Sequence, residues 1–83
     1  MTAKEMFEDL GYKYQESYFE QELDEIKYIR TNKFATCVVF NLNHKCIKTF
    51  RFDDENKSGW YDSELLKAIN KQVEELGWNK EGK

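Results

Sequence analysis

Eighty-three residues carry 13 Lys and Arg against 16 Asp and Glu, a formal charge of −3, and 40 % of them are hydrophobic. A chain of this length buries about 60–65 % of its unfolded surface and reaches a stability of about 4–12 kcal/mol. One domain spanning 1–83 is therefore expected, with no room for a deep active-site cavity, and the ordinary hydrophobic fraction argues against disorder.

The average charge conceals a partition. Residues 1–25 hold two bases and eight acids; residues 26–52 hold six bases (Lys27, Arg30, Lys33, Lys45, Lys48, Arg51) and no acid; residues 53–83 hold five bases and eight acids. No run of 18 apolar residues offers a membrane-crossing helix, and the acid-bearing start MTAKEMFEDLGY lacks the apolar stretch of a signal peptide. Cys37 and Cys46, without an export signal, read as free thiols in a reducing cytoplasm.

In chain order, Thr2 with Glu5 reads as a capping box, and Ala3, Met6, Phe7 and Leu10 share one helical face, so a helix is predicted over 3–10. Residues 12–25 interleave Tyr12, Tyr14, Tyr18, Phe19 and Leu23 with acids; the piece 18–23 fits an extra edge strand or a helical turn. Three strands follow: Ile26–Thr31, Phe34–Leu42 and Cys46–Phe52, separated by turns at Asn32-Lys33 and Asn43-His44-Lys45. At the second turn, a two-residue loop places Phe40 opposite Ile47, whereas a three-residue loop pairs Leu42 with Cys46 and Val38 with Phe50. The second register gathers Phe34, Val38, Leu42, Phe50 and Phe52 on one face and is the one expected, because a slip of one residue reverses every side chain.

DDENKSGWY, residues 53–61, is a polar loop. Asp62 is a fair N-cap, Tyr61 and Leu66 occupy hydrophobic-staple positions, and Leu65, Leu66, Ile69, Val73 and Leu76 form the stripe of a helix over 63–76. The near-copies EDLGY (8–12) and EELGW (74–78) both fall where a helix must end. A glycine there adopts the left-handed conformation at little cost, and the next residue packs back on the helix, here Tyr12 on Phe7 and Trp78 on Val73. Glu8, Asp9, Glu74 and Glu75 lie in last turns, where the helix dipole disfavours acids, so positive groups are expected beside them, with the basic sheet segment as the nearest source. The element order predicts an α+β fold: α-β-β-β-α, a three-stranded antiparallel meander with both helices on one face and a fourth edge strand admissible near 18–23.

No catalytic signature emerges. Asp54, Asn56, Ser58, Gly59 and Asp62 match EF-hand positions 1, 3, 5, 6 and 9, but the required glutamate position is Leu65. His44 sits at a turn with no acid in the neighbouring strands, the cysteines lack CxxC spacing, and no glycine-rich phosphate loop exists. No enzyme activity, metal or cofactor is expected. The order α-β-β-β-α resembles the double-stranded RNA-binding domain, but Thr31–Lys33 and YDSELLK (61–67) lack that family's loop and helix motifs.

KEMFEDLGY near the start and LKAINKQVEELGW near the end resemble a pattern in small proteins of phages and prophages of Gram-positive bacteria. The resemblance implies an accessory, non-catalytic protein of the host cytoplasm, acting on host or phage macromolecules. The function expected is a protein-binding module that inhibits or redirects a host protein, such as a defence nuclease, with acids imitating phosphates. Its contact residues are expected at Tyr14, Tyr18, Phe19, Glu20, Glu22, Trp60 and Tyr61, since aromatic anchors among charges compose binding hot spots; a homodimer is a sub-case. The alternative is a nucleic-acid-binding sheet face built on Lys27, Arg30, Lys33, Lys45, Lys48 and Arg51.

Overall fold

The structure, a computed structural model, describes residues 1–31, 35–51 and 62–78. Its elements run α1 (Ala3–Asp9), β1 (Lys13–Phe19), β2 (Glu22–Arg30), β3 (Thr36–Asn41), β4 (Cys46–Arg51) and α2 (Ser63–Leu76). The four strands form one antiparallel meander, β1-β2-β3-β4. The fold is α+β, and the admissible fourth strand exists. It spans Lys13–Phe19 rather than 18–23, and β2 starts four residues before the expected Ile26.

Both helices lie on one face of the sheet. Phe7 of α1 and Leu65, Ala68 and Ile69 of α2 share a buried cluster with Tyr12, Ile26, Tyr28, Val38 and Phe40. The Phe7 ring stacks on Tyr28 with centroids 3.7 Å apart and planes at 9°, and Phe40 meets both rings edge-on at 6.2 and 6.1 Å. Burial of such a cluster supplies most of the folding free energy of a small chain. One polar pair crosses it: the Tyr28 hydroxyl donates to Gln72 Oε1 at 2.5 Å, joining the sheet to α2.

The helix ends follow their sequence signals. Thr2 Oγ1 accepts from the Glu5 N–H while Glu5 reaches back to the Thr2 N–H, and the resulting bond holds the Glu5 carboxyl below its ordinary pKa. At the other end of α1, Tyr12 N–H donates to Phe7 O and Gly11 N–H to Glu8 O, with Gly11 at φ 93°. This is the double bond of a Schellman stop, and the Tyr12 ring meets Phe7 edge-on at 5.6 Å. Asp62 caps α2 by accepting from Leu65 N–H at 2.8 Å, and Gly77 closes it at φ 78°.

The acids in the last turns are answered in three ways. Glu75 Oε2 accepts from the Ala3 N–H at 2.8 Å, so the carboxylate at the end of α2 meets the N-terminus of α1, where the dipole favours an anion. Lys71 pairs with Glu74 at 3.3 Å. Arg30 of β2 donates to Leu10 O at 3.1 Å, bringing a cation to the end of α1.

One expectation is overturned. Phe40 pairs with Ile47 and Val38 with Thr49, the register of the shorter loop, so Phe50 lies opposite Cys37 on the face away from the helices. Two physical causes are visible. The Asp24 carbonyl accepts from Leu42 N–H at 3.0 Å and its carboxylate from Asn43 Nδ2 at 2.6 Å, which holds the turn to β2. Further, no β4 residue belongs to the buried cluster: the helices cover the sheet as far as β3, so an edge strand has no need to present its phenylalanine inward. Phe34, Phe52 and the loop 53–61, including the EF-hand-like positions 54–59, lie outside the described residues.

Candidate functional site

The β1–β2 hairpin turns at Glu20-Gln21, with φ of 51° and 71°. Two successive left-handed residues are what a two-residue hairpin of this twist demands, and glycine or asparagine is the usual choice. Glu and Gln cost about 1 kcal/mol each in that conformation. Just inside the turn the register slips: Ser17 faces Glu25 and Tyr18 faces Leu23, leaving Asp24 as the extra residue of a bulge. That residue is the one that holds the β3–β4 turn. Regular pairing of β2 with β3 begins only at Glu25–Asn41. The hairpin end, residues 18–22, therefore projects beyond the neighbouring strands.

Side chains alternate across β1. Tyr14, Glu16 and Tyr18 share the helix-side face, and Phe19 falls on the other. The Tyr14 hydroxyl donates to Glu16 Oε2 at 2.6 Å and the Tyr18 hydroxyl to Glu16 Oε1 at 2.7 Å, so each carboxylate oxygen has its own tyrosine. These bonds, Tyr14's first, hold the Glu16 carboxyl below its ordinary range. Burial, with the Glu16 bond second, pushes the Tyr14 hydroxyl up to about 12, whereas the bond to Glu16 is the main cause of the rise at Tyr18. Tyr14 also packs on Tyr28 at 5.4 Å and lies beneath the Lys4 ammonium at 4.9 Å. It is half-buried and anchors the triad to the core. Tyr18 and Phe19 are 61 % and 65 % exposed, and Glu20 and Glu22 are exposed with them.

Residues 16–25 hold five acids and no base. The ion pair found here joins Lys27 to Glu25 at 3.7 Å; Glu20 and Glu22 have no cationic partner among the described residues. Thus Tyr18, Phe19, Glu20 and Glu22 lie together at the projecting end, with Tyr18 and Phe19 on opposite faces of it; Tyr14 stands behind them, and Trp60 and Tyr61 lie outside the described residues. The Tyr-Glu-Tyr triad could have been read from the spacing 14, 16, 18 had the strand been recognised, since alternate residues share a face.

The six basic positions do not form one face. By register, Lys27 and Lys48 flank Val39 on the side away from the helices, with Lys13 of β1 on the same side. Arg30 and Arg51 flank Thr36 on the helix side, where the Arg30 guanidinium also covers the Tyr12 ring at 4.6 Å. Lys45 belongs to the β3–β4 turn at φ 54° and Lys33 lies outside the described residues. The expectation of one basic sheet face is corrected on these positions: strand alternation places residues 30 and 51 on the helix side of the sheet.

A half-open cleft of about 480 Å³ adjoins the start of β1, lined by Lys13, Tyr14, Gln15, Ile29 and Thr31. Among the described residues no three His, Cys, Asp or Glu side chains converge as metal ligands, and no helix is long and apolar enough to cross a membrane. His44 is an exposed turn residue, and its N–H donates to Asn41 Oδ1 at 2.8 Å. Cys37 is buried and Cys46 exposed, and neither is in a disulfide. Comparison of the chain with protein-family models, with curated proteins and with solved structures found no match.

Proposed function

We propose that this protein is a protein-binding module whose contact surface is the projecting end of the β1–β2 hairpin. The observation that carries the reading is the exposure of Tyr18 and Phe19, 61 % and 65 %, beside a strained turn where Glu20 and Glu22 have no cationic partner among the described residues. Two large aromatics left mostly in water at the tip lie outside the core cluster. Aromatic residues ringed by charge are the composition of interface hot spots, and strain of this kind concentrates at binding sites. The acids select a basic partner and speed its approach. In the setting suggested by the end motifs, a phage or prophage of a Gram-positive host, the partner is a host protein with a basic surface, which the module inhibits or redirects in the cytoplasm. A nuclease that normally holds nucleic acid fits that description. The nucleic-acid alternative is weaker here because its cations are divided between the two sides of the sheet.

The test compares the protein with a Tyr18→Ala/Phe19→Ala variant as immobilised bait in Gram-positive host extract, with the captured proteins quantified and circular dichroism verifying the fold. A basic protein retained by the parent and lost by the variant is the expected result. Identical capture by both removes the tip as the contact surface.

A further inference from the structure

Resting on that reading, we infer that the partner binds as an added strand: an extended, basic segment pairs with the free edge of β1 and makes the sheet five-stranded. Among the described residues β1 pairs with β2 alone, and five of its seven residues are exposed. Its outer row of N–H and C=O groups thus offers an incoming chain a ladder at the usual strand spacing of about 4.8 Å.

Three features select the occupant. Tyr18 stands on the helix-side face of the edge and Phe19 on the other, so an added strand has an aromatic side chain against each of its faces at the tip. Glu16 is hydrogen-bonded by two hydroxyls and feels the Lys4 ammonium without an ion-pair contact, and Glu20 and Glu22 follow without cationic partners among the described residues. A lysine or arginine opposite Glu16 gains a carboxylate and lies diagonally beside the Tyr18 ring, where cations are attracted. At the other end of β1 the cleft bordered by Lys13, Gln15 and Ile29 gives the continuing chain a recess. Main-chain bonds supply affinity in this mode and side chains at alternate positions supply specificity.

A second copy of this chain is the poorer occupant. Two β1 strands paired antiparallel over their full length would cross at Glu16 and set its carboxylate against its own symmetry mate, and like charges directly opposite are destabilising. The residue that recruits a basic strand thus discourages self-pairing.

The probe is a capped peptide of about nine residues, a common strand length, alternating lysine with threonine. Its glutamate analogue and a version N-methylated at every second amide serve as controls. Binding is followed at low ionic strength by amide NMR of the full protein. The expected result is perturbation and slowed exchange of the amides of 13–19 by the lysine peptide, none by the glutamate peptide, and an affinity loss of about tenfold or more on N-methylation, the equivalent of two or three ladder bonds. Equal binding of the N-methylated peptide, perturbation centred away from β1, absence of binding, or concentration-dependent dimerisation through β1 would each overturn the added strand. If binding resists N-methylation but is lost in Tyr18→Ala/Phe19→Ala, the tip remains the contact surface without a fifth strand. Host-extract capture unchanged by that double substitution removes the tip reading itself.

Discussion

The bond between Tyr28 and Gln72 offers the sharpest test of how the sheet and α2 are joined. Tyr28 is 0 % exposed and Gln72 6 %, and the hydroxyl reaches Oε1 at 2.5 Å. Tyr28→Phe removes the donor and little else, because the ring that stacks on Phe7 remains. A buried acceptor left without its partner costs about 1–3 kcal/mol. Gln72→Leu strands the tyrosine hydroxyl instead, at a similar cost. Replacing both partners by apolar groups is close to neutral, so the double variant should be more stable than the sum of the single losses implies, by about 2–6 kcal/mol. Each kilocalorie corresponds to about 4–8 °C in the melting temperature of a domain this small. Urea unfolding of all four proteins, followed by circular dichroism, measures the cycle. Losses that simply add, or a Tyr28→Phe variant as stable as the parent, would refute the claim that this pair couples the two layers.

Three further outcomes follow. Glu20→Asn combined with Gln21→Gly supplies the residues that a left-handed turn favours and should raise stability by about 1–2 kcal/mol, read from the urea midpoint, if the strain is real. Tyr18→Phe removes one of the two donors to Glu16, so its carboxyl pKa, measured by carbon NMR titration, should rise while Tyr14 still holds it below the ordinary value of 4.5. Since that depressed pKa gives stability that is complete above 4.5 and disappears as pH falls through the folded value, the variant should also unfold at slightly higher pH in acid. A bulky, charged thiol reagent should modify Cys46 and spare Cys37 in the native protein, as peptide mapping would reveal; equal labelling contradicts the burial of Cys37.

The ends of the helices were legible in the sequence because their signals are local. Thr2 with Glu5, Asp62 with Leu65, and the glycines at 11 and 77 each act within a few residues. What escaped depends on distant contacts or on conformations the residue types do not advertise. FEQE contains no glycine or asparagine, so the turn at 20–21 gave no signal, and without it neither the span of β1 nor the projecting tip could be located. The β3–β4 register was misjudged by a sound rule, one coherent apolar face, applied to a strand beyond the helices' reach. Gln72 lies in the buried stripe of α2 but is polar, and its partner is 44 residues earlier. Of the candidate contact residues, exposure of Tyr18 and Phe19 agrees with their alternation among acids; the half-buried position of Tyr14 follows from the Tyr28 ring beside it, which sequence spacing does not reveal.

The hydrogen bond from Ala3 to Glu75 ties a seven-residue helix to one that is synthesised after all four strands. A helix that short does not persist alone in water. On the ribosome, each β-hairpin can close soon after it emerges, whereas the opening helix must wait, unfolded, until the closing one leaves the exit tunnel. During that interval Phe7 has no roof to complete, and the aromatic floor formed by Tyr28 and Phe40 stays uncovered, so the emergence of α2 is the step that closes this body.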